Sequence, residues 1–323
     1  MRVPPLFIAI EKTGIGVNRM LYISEIDELI ESKELDQLGR KSEFQHYFNL
    51  NVGDISADGT VVVGKNGYLF INDGSNHWRE QLSGQIKIHP DQLNASVHLL
   101  EDYRRKCNER GIKFEFVVIP EKDVVLSGLS PNVTDEVAPR RTVQDFLDNI
   151  SFRAVYPYEQ MTTVPADVRI FHRRDSHFNF LGGFIVANEV LKAHNARPLR
   201  LLECKSDLVS WQDDLSSKWA MFQTMRRQLR KDYIETVIKE SETTHMGLHL
   251  LIQSTRVTDG STIVIYGDSY SWNYDGGLAR FLTLRYQNVH FVWHKRIDWE
   301  LVDAIKPSIL ILESAERFLF RGI

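Results

Sequence analysis

Two stretches of the chain carry residue types suited to nucleophilic acyl chemistry. The first is Thr262-Ile263-Val264-Ile265-Tyr266-Gly267-Asp268-Ser269, a short run rich in β-branched residues that stops at Gly-Asp-Ser. The run reads as a buried parallel strand, and Leu278 to Leu282 downstream has helical spacing. Strand, tight turn, helix lifts a serine hydroxyl above a sheet edge and leaves N–H groups free to meet an anion. The ordinary alternative is a turn and nothing more, because Gly, Asp and Ser are common turn formers. The second stretch, Arg174-Asp175-Ser176-His177-Phe178-Asn179, lies well upstream. A serine nucleophile needs a base, and the base needs an acid to orient it. In an extended segment Asp175 and His177 point to one side. One carboxylate can then hold the imidazole while its other nitrogen faces Ser269.

The chain also resembles a known family in several places. Asp-x-His upstream of Gly-Asp-Ser is similar to the SGNH-hydrolase-like alginate O-acetyltransferases of the AlgX/AlgJ type, in which acid and base precede the nucleophile. Gly64-Lys65-Asn66-Gly67-Tyr68-Leu69-Phe70 resembles that family's Gly-x-x-Gly-Trp-Leu-Phe segment, with Tyr68 in place of Trp. Val118-Ile119-Pro120-Glu121-Lys122 resembles its strand ending in Pro-x-Lys. Arg174 to Phe178 resembles its Arg-x-Asp-x-His-aromatic segment, although here the Arg directly precedes the Asp. Glu313-Ser314-Ala315-Glu316-Arg317 resembles its closing Glu-x-x-Glu-Arg. The resemblance runs from about Thr60 to the C-terminus.

The residues and the resemblance together set the expectations. Ser269 is the expected nucleophile, His177 the base and Asp175 its orienter. The Ser269 N–H is the first candidate donor to an oxyanion. Asn273 and Arg317 are candidates for the second, since the Gly-x-Asn-Asp segment of ordinary SGNH esterases is missing. An ion pair with Glu313 or Glu316 is the alternative for Arg317. Arg174, Lys122, Tyr270, Trp272 and Tyr274 are candidate substrate contacts: the cations for a carboxylate or phosphate, the aromatics for stacking on a sugar. A salt bridge is the alternative for Arg174, and core packing for the aromatics. Asp268 is expected to tie down its own turn. His245 and His249, four apart, have too few companions for a metal site, so no metal is expected. Arg226 to Lys231 is a basic cluster that reads as a solvated helix face or as an anion site.

The elements that must position these groups follow from pattern. A strand is expected at 6–10 and a helix from Ser24 to Leu38. Strands Val61–Val63 and Tyr68–Ile71 are joined as a hairpin, because Asn66-Gly67 favours one. Asp73 to Gly84 reads as a loop. From His89 onward helices and strands alternate, which argues for a parallel sheet. The expected helices are 91–110, 141–149, 182–193, 219–239, 276–284 and 298–305. The expected strands are 114–119, 152–155, 197–205, 262–266, 289–293 and 308–312. The fold class is therefore α/β, a three-layer sandwich with a mainly parallel sheet of SGNH-hydrolase type. An N-terminal extension over 1–59 and a catalytic domain over 60–323 are the expected units.

Composition is that of a globular chain: 323 residues, 43% apolar, 25% charged, net charge −4. That balance gives no general attraction to nucleic acid. Two cysteines, Cys107 and Cys204, make neither a disulfide framework nor a zinc pattern. The early apolar run Leu6–Ile10 is shorter than the roughly 7–15 residues of a secretory signal, and no run nears the ~20 needed to span a bilayer. As written, the chain is expected in the cytoplasm; if it is a shortened form, the resemblance implies the periplasm or the exterior. The resemblance implies transfer of an acetyl group to a sugar hydroxyl of a polysaccharide or its precursor through an acyl-serine, with no tightly bound cofactor. The donor would be acetyl-CoA or an acylated partner, a membrane acyltransferase being the candidate. Two other functions use the same residues: a carbohydrate esterase with this triad, and a non-catalytic glycan-binding or assembly protein on an SGNH scaffold.

Overall fold

The computed structural model describes residues 49–133, 140–165, 167–218, 223–230, 234–243, 245–272 and 276–323, together with two short strands near the N-terminus. Those strands, β1 (Phe7–Ala9) and β2 (Met20–Tyr22), pair antiparallel. The helix expected over Ser24–Leu38 lies outside the described residues. β3 (Val61–Val63) and β4 (Leu69–Ile71) form the expected hairpin, with Asn66 in the left-handed region at φ 62°. The stretch Asp73–Gly84, expected as a loop, contains α1 (Trp78–Leu82); Trp78 is buried there, and its indole N–H donates to Asp123. Burial of that ring gives the short helix a tertiary anchor that local sequence does not show.

α2 (Pro90–Glu109) starts with Pro in its first turn, where a missing N–H costs nothing. It leads into β5 (Lys113–Ile119), α3 (Lys122–Val125), α4 (Thr142–Asn149) and α5 (Tyr158–Thr162). The strand expected at 152–155 is only a single bridge from Val155 to Val117. α6 (Phe180–Ala193) is capped by Asn179, whose side chain accepts from the N–H groups of Leu181 and Gly182. Residues 197–205 are not a strand; Leu201–Glu203 form one 3-10 turn, held by Arg285, Arg200 and Arg197 on Glu203.

The largest departure from expectation follows. In place of a long helix over 219–239 there are strands: β6 (Ser206–Gln212) and β7 (Gln223–Leu229) form an antiparallel ribbon, and β8 (Ile234–Lys239) joins the main sheet. Arg, Lys, Gln and Glu favour helix intrinsically, but strand pairing and burial override such preferences. The chain continues through β9 (His249–Ser254), β10 (Thr262–Tyr266), α7 (Ser269–Trp272), α8 (Leu278–Leu282), β11 (Asn288–Val292), α9 (Trp299–Ile305) and β12 (Ile309–Ala315). His249 therefore sits on a strand, not a helix. It meets His290 across the sheet at 3.0 Å and Glu240 at 2.7 Å, and has no helical partner in His245.

The main sheet has six strands in the order β5-β12-β10-β11-β9-β8. The first four run parallel; β9 and β8 are antiparallel additions at one edge. β10 lies inside the sheet and is buried on both faces, as its apolar run requires. On one face Ile263 and Ile265 pack with Phe184, Val190 and Phe281 of α6 and α8. On the other, Val264 and Tyr266 pack with Leu100, Phe146 and Val302 of α2, α4 and α9. That is a three-layer sandwich with a mixed sheet. Among the described residues no helix is long and apolar enough to cross a membrane.

Candidate active site

Ser269 opens α7 three residues beyond the end of β10, so the central strand itself delivers the hydroxyl to the carboxyl edge of the sheet, where open α/β sheets bind ligands. The turn is fastened from below. Asp268 Oδ1 accepts from the Tyr270 N–H at 2.9 Å, and Oδ2 accepts from the Ala315 N–H at 2.9 Å. This is the turn-holding role expected of Asp268, extended to the neighbouring strand β12. Glu313 Oε2 accepts from the Asp268 N–H at 3.0 Å and from Ser271 Oγ at 2.7 Å. Burial, reinforced by the Asp268 charge, pushes the Glu313 carboxyl well above the usual range. A Cβ on Gly267 would stand 2.5 Å from Glu313 Oε2 and 3.2 Å from its Cβ, so any larger residue must displace the Glu313 side chain beside Ser269.

His177 arrives from a loop on the α6 side. Phe178 bridges Phe171, and the His172 N–H donates to the His177 carbonyl, which pins the segment before Asn179 caps α6. Asp175 to His177 is a bend, not the extended segment expected. Asp175 Oδ1 accepts from the His177 backbone N–H at 3.0 Å, the Asx-turn pattern, and the two side chains still meet. His177 Nδ1 lies 2.7 Å from Asp175 Oδ1, and His177 Nε2 lies 2.8 Å from Ser269 Oγ. An ionised carboxylate only accepts, so Nδ1 carries the proton, and Nε2 is left to accept from the Ser269 hydroxyl. Close packing makes this meeting possible: a Cβ on Gly183 in α6 would strike the Gly276 carbonyl at 2.0 Å.

Electrostatics suit the geometry. Burial opposes a charge on His177, but Asp175 outweighs it, and the imidazole is raised above its ordinary value. Burial likewise opposes a charge on Asp175, yet the Arg226 guanidinium and then His177 hold its carboxyl well below the usual carboxylate range. Arg226 was expected on a solvated helix face or at an anion site. It is instead fully buried on β7, with Nη2 2.6 Å from Asp175 Oδ2 and 2.7 Å from Asp213 Oδ1. The Asp214 N–H also donates to Asp175 Oδ2, at 3.0 Å. Pattern gives Arg226 no buried role because it makes 219–239 helical, and nothing local marks Asp214. The β-branched residues Ile234, Thr236, Val237 and Ile238 were the available signal for a strand.

The other candidates are placed as follows. Lys122 is buried, not a free cation at the sheet edge. Its Nζ donates to the carbonyls of Leu69, Arg173 and Asp175 at 2.8, 2.9 and 2.9 Å. Tyr270 is also buried; its hydroxyl donates to the Ser176 carbonyl and its ring packs on His177, so it braces the loop and offers no face to a sugar. Trp272 is partly buried and stacks on Phe291. Arg174 pairs with Asp213 at 3.3 Å, the salt-bridge alternative. Arg317 pairs with neither Glu313 nor Glu316 but with Glu121, at 2.5 Å, and its Nε donates to Ser75. Glu316 takes Arg141 and Tyr156 instead. Asn273 and Tyr274 lie outside the described residues. The Ser269 N–H has no partner among the described residues.

A three-layer sandwich that presents a serine at the head of an inner parallel strand falls in the SGNH hydrolase-like class. Within it, the chain belongs to the family described as SGNH hydrolase-like domain, acetyltransferase AlgX, which matches residues 61–293, and it is an SGNH-like acyltransferase. The fold is similar to that of PatB1 from Bacillus cereus (TM-score 0.56, 8% identity, 80% of this chain and 96% of that one). It is also similar to a DHHW family protein from Eubacterium siraeum (TM-score 0.55, 10% identity, 84% and 96%). AlgX from Pseudomonas aeruginosa is similar too (TM-score 0.52, 14% identity), over 81% of this chain and 63% of that one. At such identities the likeness is one of fold. No curated protein matches the sequence.

Proposed function

We propose that the protein transfers an acetyl group to a sugar hydroxyl of a polysaccharide through an acetyl-Ser269 intermediate. The observation that carries this is the unbroken chain Ser269 Oγ, His177, Asp175, with contacts of 2.8 and 2.7 Å. In the first step Ser269 Oγ attacks the acetyl carbonyl as His177 Nε2 takes its proton. The Ser269 N–H is the donor closest at hand for the oxyanion. Collapse breaks the bond to the donor's leaving group, which departs with the proton from Nε2. In the second step a sugar hydroxyl gives its proton to Nε2 and attacks the acetyl carbon; Ser269 Oγ leaves and takes the proton back. Asp175 holds the Nδ1–H tautomer and stabilises the imidazolium in both steps. Acetyl-CoA or an acetylated membrane partner supplies the group, and no metal or cofactor enters the scheme.

The test is acceptor diversion. With p-nitrophenyl acetate as donor and a panel of oligosaccharides as acceptors, mass spectrometry should find acetylated sugar at the expense of acetate. If acetate alone appears with every acceptor, the protein is an esterase and the transferase reading fails.

A further inference from the structure

The three reacting groups leave one buried charge on the site unexplained. Arg226 is fully buried, its Nη2 bridges Asp175 Oδ2 and Asp213 Oδ1, and its guanidinium lies over the Trp211 ring at 5.6 Å. It comes from β7, in a ribbon remote in sequence from both catalytic stretches. The same ribbon holds the loop elsewhere. The Leu215 and Ser216 N–H groups donate to the Arg174 carbonyl at 3.1 Å, and Asp214 accepts from the Ser176 N–H at 2.8 Å and from Ser176 Oγ at 2.5 Å. The β6–β7 ribbon thus clasps Arg174-Asp175-Ser176 from outside.

Resting on the acyl-transfer reading above, we propose that Arg226 is a positioning residue. Its guanidinium fixes the Asp175 carboxylate so that Oδ2 is occupied and Oδ1 alone faces the Nδ1–H of His177. Without that cation the buried carboxylate would keep only the imidazole and the His177 and Asp214 backbone N–H groups, and it would take up a proton more readily, losing the tautomer that Ser269 requires. The charged and titratable groups around Asp175 are His172 and His177 from its own loop, Lys122 from α3, Asp213 and Asp214 from the ribbon turn, and Arg226. Arg226 places a guanidinium on Asp175 Oδ2, while His177 holds Oδ1. Asp213 in turn holds Arg226, and it takes Arg174 on its other oxygen.

The experiment compares wild type, Arg226→Met and Asp213→Asn, each checked for folding by thermal melting. Two readouts are taken: the pH profile of Ser269 acetylation by p-nitrophenyl acetate, and the NMR titration of the His177 ring. Arg226→Met should lower the acylation rate at least tenfold with little change in the KM for the ester. It should also shift the acid limb and the His177 titration to higher pH, because a positive charge has left the pair. Asp213→Asn removes a negative charge from the same network and should move both the other way. Limbs and titrations that stay put in both folded variants overturn the proposal, as does Arg226→Met with wild-type rate. If Arg226→Met does not fold, Asp213→Asn carries the test by the same two readouts. Should wild type itself fail to acetylate Ser269, the functional reading fails; the NMR titration still decides whether Arg226 governs the Asp175–His177 pair.

Discussion

Arg226 and Asp175, 51 residues apart in the chain, meet at 2.6 Å in the interior. A buried carboxylate ordinarily rises in pKa. This one stays ionised because a guanidinium from a separate ribbon lies against it. Asp175, the orienter in the proposed scheme, is therefore held by an element that contributes none of that scheme's reacting atoms.

The base must be neutral to accept a proton, and Asp175 raises His177 above its ordinary value near 6.5. Acylation should therefore climb with pH through a limb lying above about 6.5. His177→Gln should lose at least about 10³-fold and lack that limb. The stability linkage has the opposite sense. The stabilisation from protonated His177 is full below about 6.5 and is lost as pH rises through the raised value. That from ionised Asp175 is full above about 3.9 and is lost as pH falls through the depressed one. Stopped-flow release of nitrophenol and urea melts across pH check the two halves.

Gly267→Ala tests the turn. The new methyl would press on Glu313 Oε2 at 2.5 Å and Ser271 Oγ at 3.1 Å, the groups that hold Asp268 and α7. Overpacking of this kind costs about 1–3 kcal/mol. The stability loss should come with a fall in acylation far larger than the stability change alone would give, because Ser269 moves with its turn. A variant with wild-type acylation would show that the close approach is not needed.

Lys122→Met should destabilise the protein by roughly 2 kcal/mol, leaving the Leu69, Arg173 and Asp175 carbonyls without their donor while removing a costly buried charge. Burial lowers the Lys122 ammonium to about 8 against the acids around it. Since the unfolded chain binds that proton up to about 10.4, wild-type stability should rise, relative to the variant, as pH increases from near 8 toward 10. Paired urea melts at neutral and alkaline pH give the difference.

Both cysteines are buried and unpaired, and burial pushes each thiol up to about 12. Neither should react with a chromogenic disulfide reagent at pH 8 in the folded protein, and both should react once it is unfolded in guanidinium. A thiol that titrates in the native protein would contradict the packing around Cys107 or Cys204.

What pattern revealed and what it hid divide along physical lines. β10 and the Gly267-Asp268-Ser269 turn were legible because a β-branched run buried on both faces has few other uses. Asn179 and α6 were legible through a local cap. Arg226 was not, because its burial depends on Asp175 and Asp213, contacts that exist only once β7 pairs with β6. Arg317 reads from the sequence as a candidate oxyanion donor, with an ion pair to its near neighbours Glu313 or Glu316 as the alternative. Its partner Glu121 is brought by the alignment of Ala315 with Ile119 on strands β12 and β5. Trp78 hid a short helix in the same way, through a buried hydrogen bond to Asp123. Local spacing singled out Ser269, His177 and Asp175, which the fold brings into contact, whereas Arg226 reaches them through pairings made at long range.

The 2.8 Å contact from His177 Nε2 singles out the Ser269 hydroxyl for activation, so an aryl sulfonyl fluoride should modify Ser269, block acylation, and leave Ser269→Ala untouched. Peptide mapping after treatment checks it, and an adduct on any other residue would count against Ser269 as the activated hydroxyl.

The most direct test of the central claim is to quench the protein with p-nitrophenyl acetate during turnover and map the modified peptide. The account predicts one acetyl group, on Ser269, formed at a rate matching the nitrophenol burst and lost when His177 or Asp175 is replaced. Turnover with no acetyl on Ser269, or acetyl on a different side chain at that rate, would contradict it.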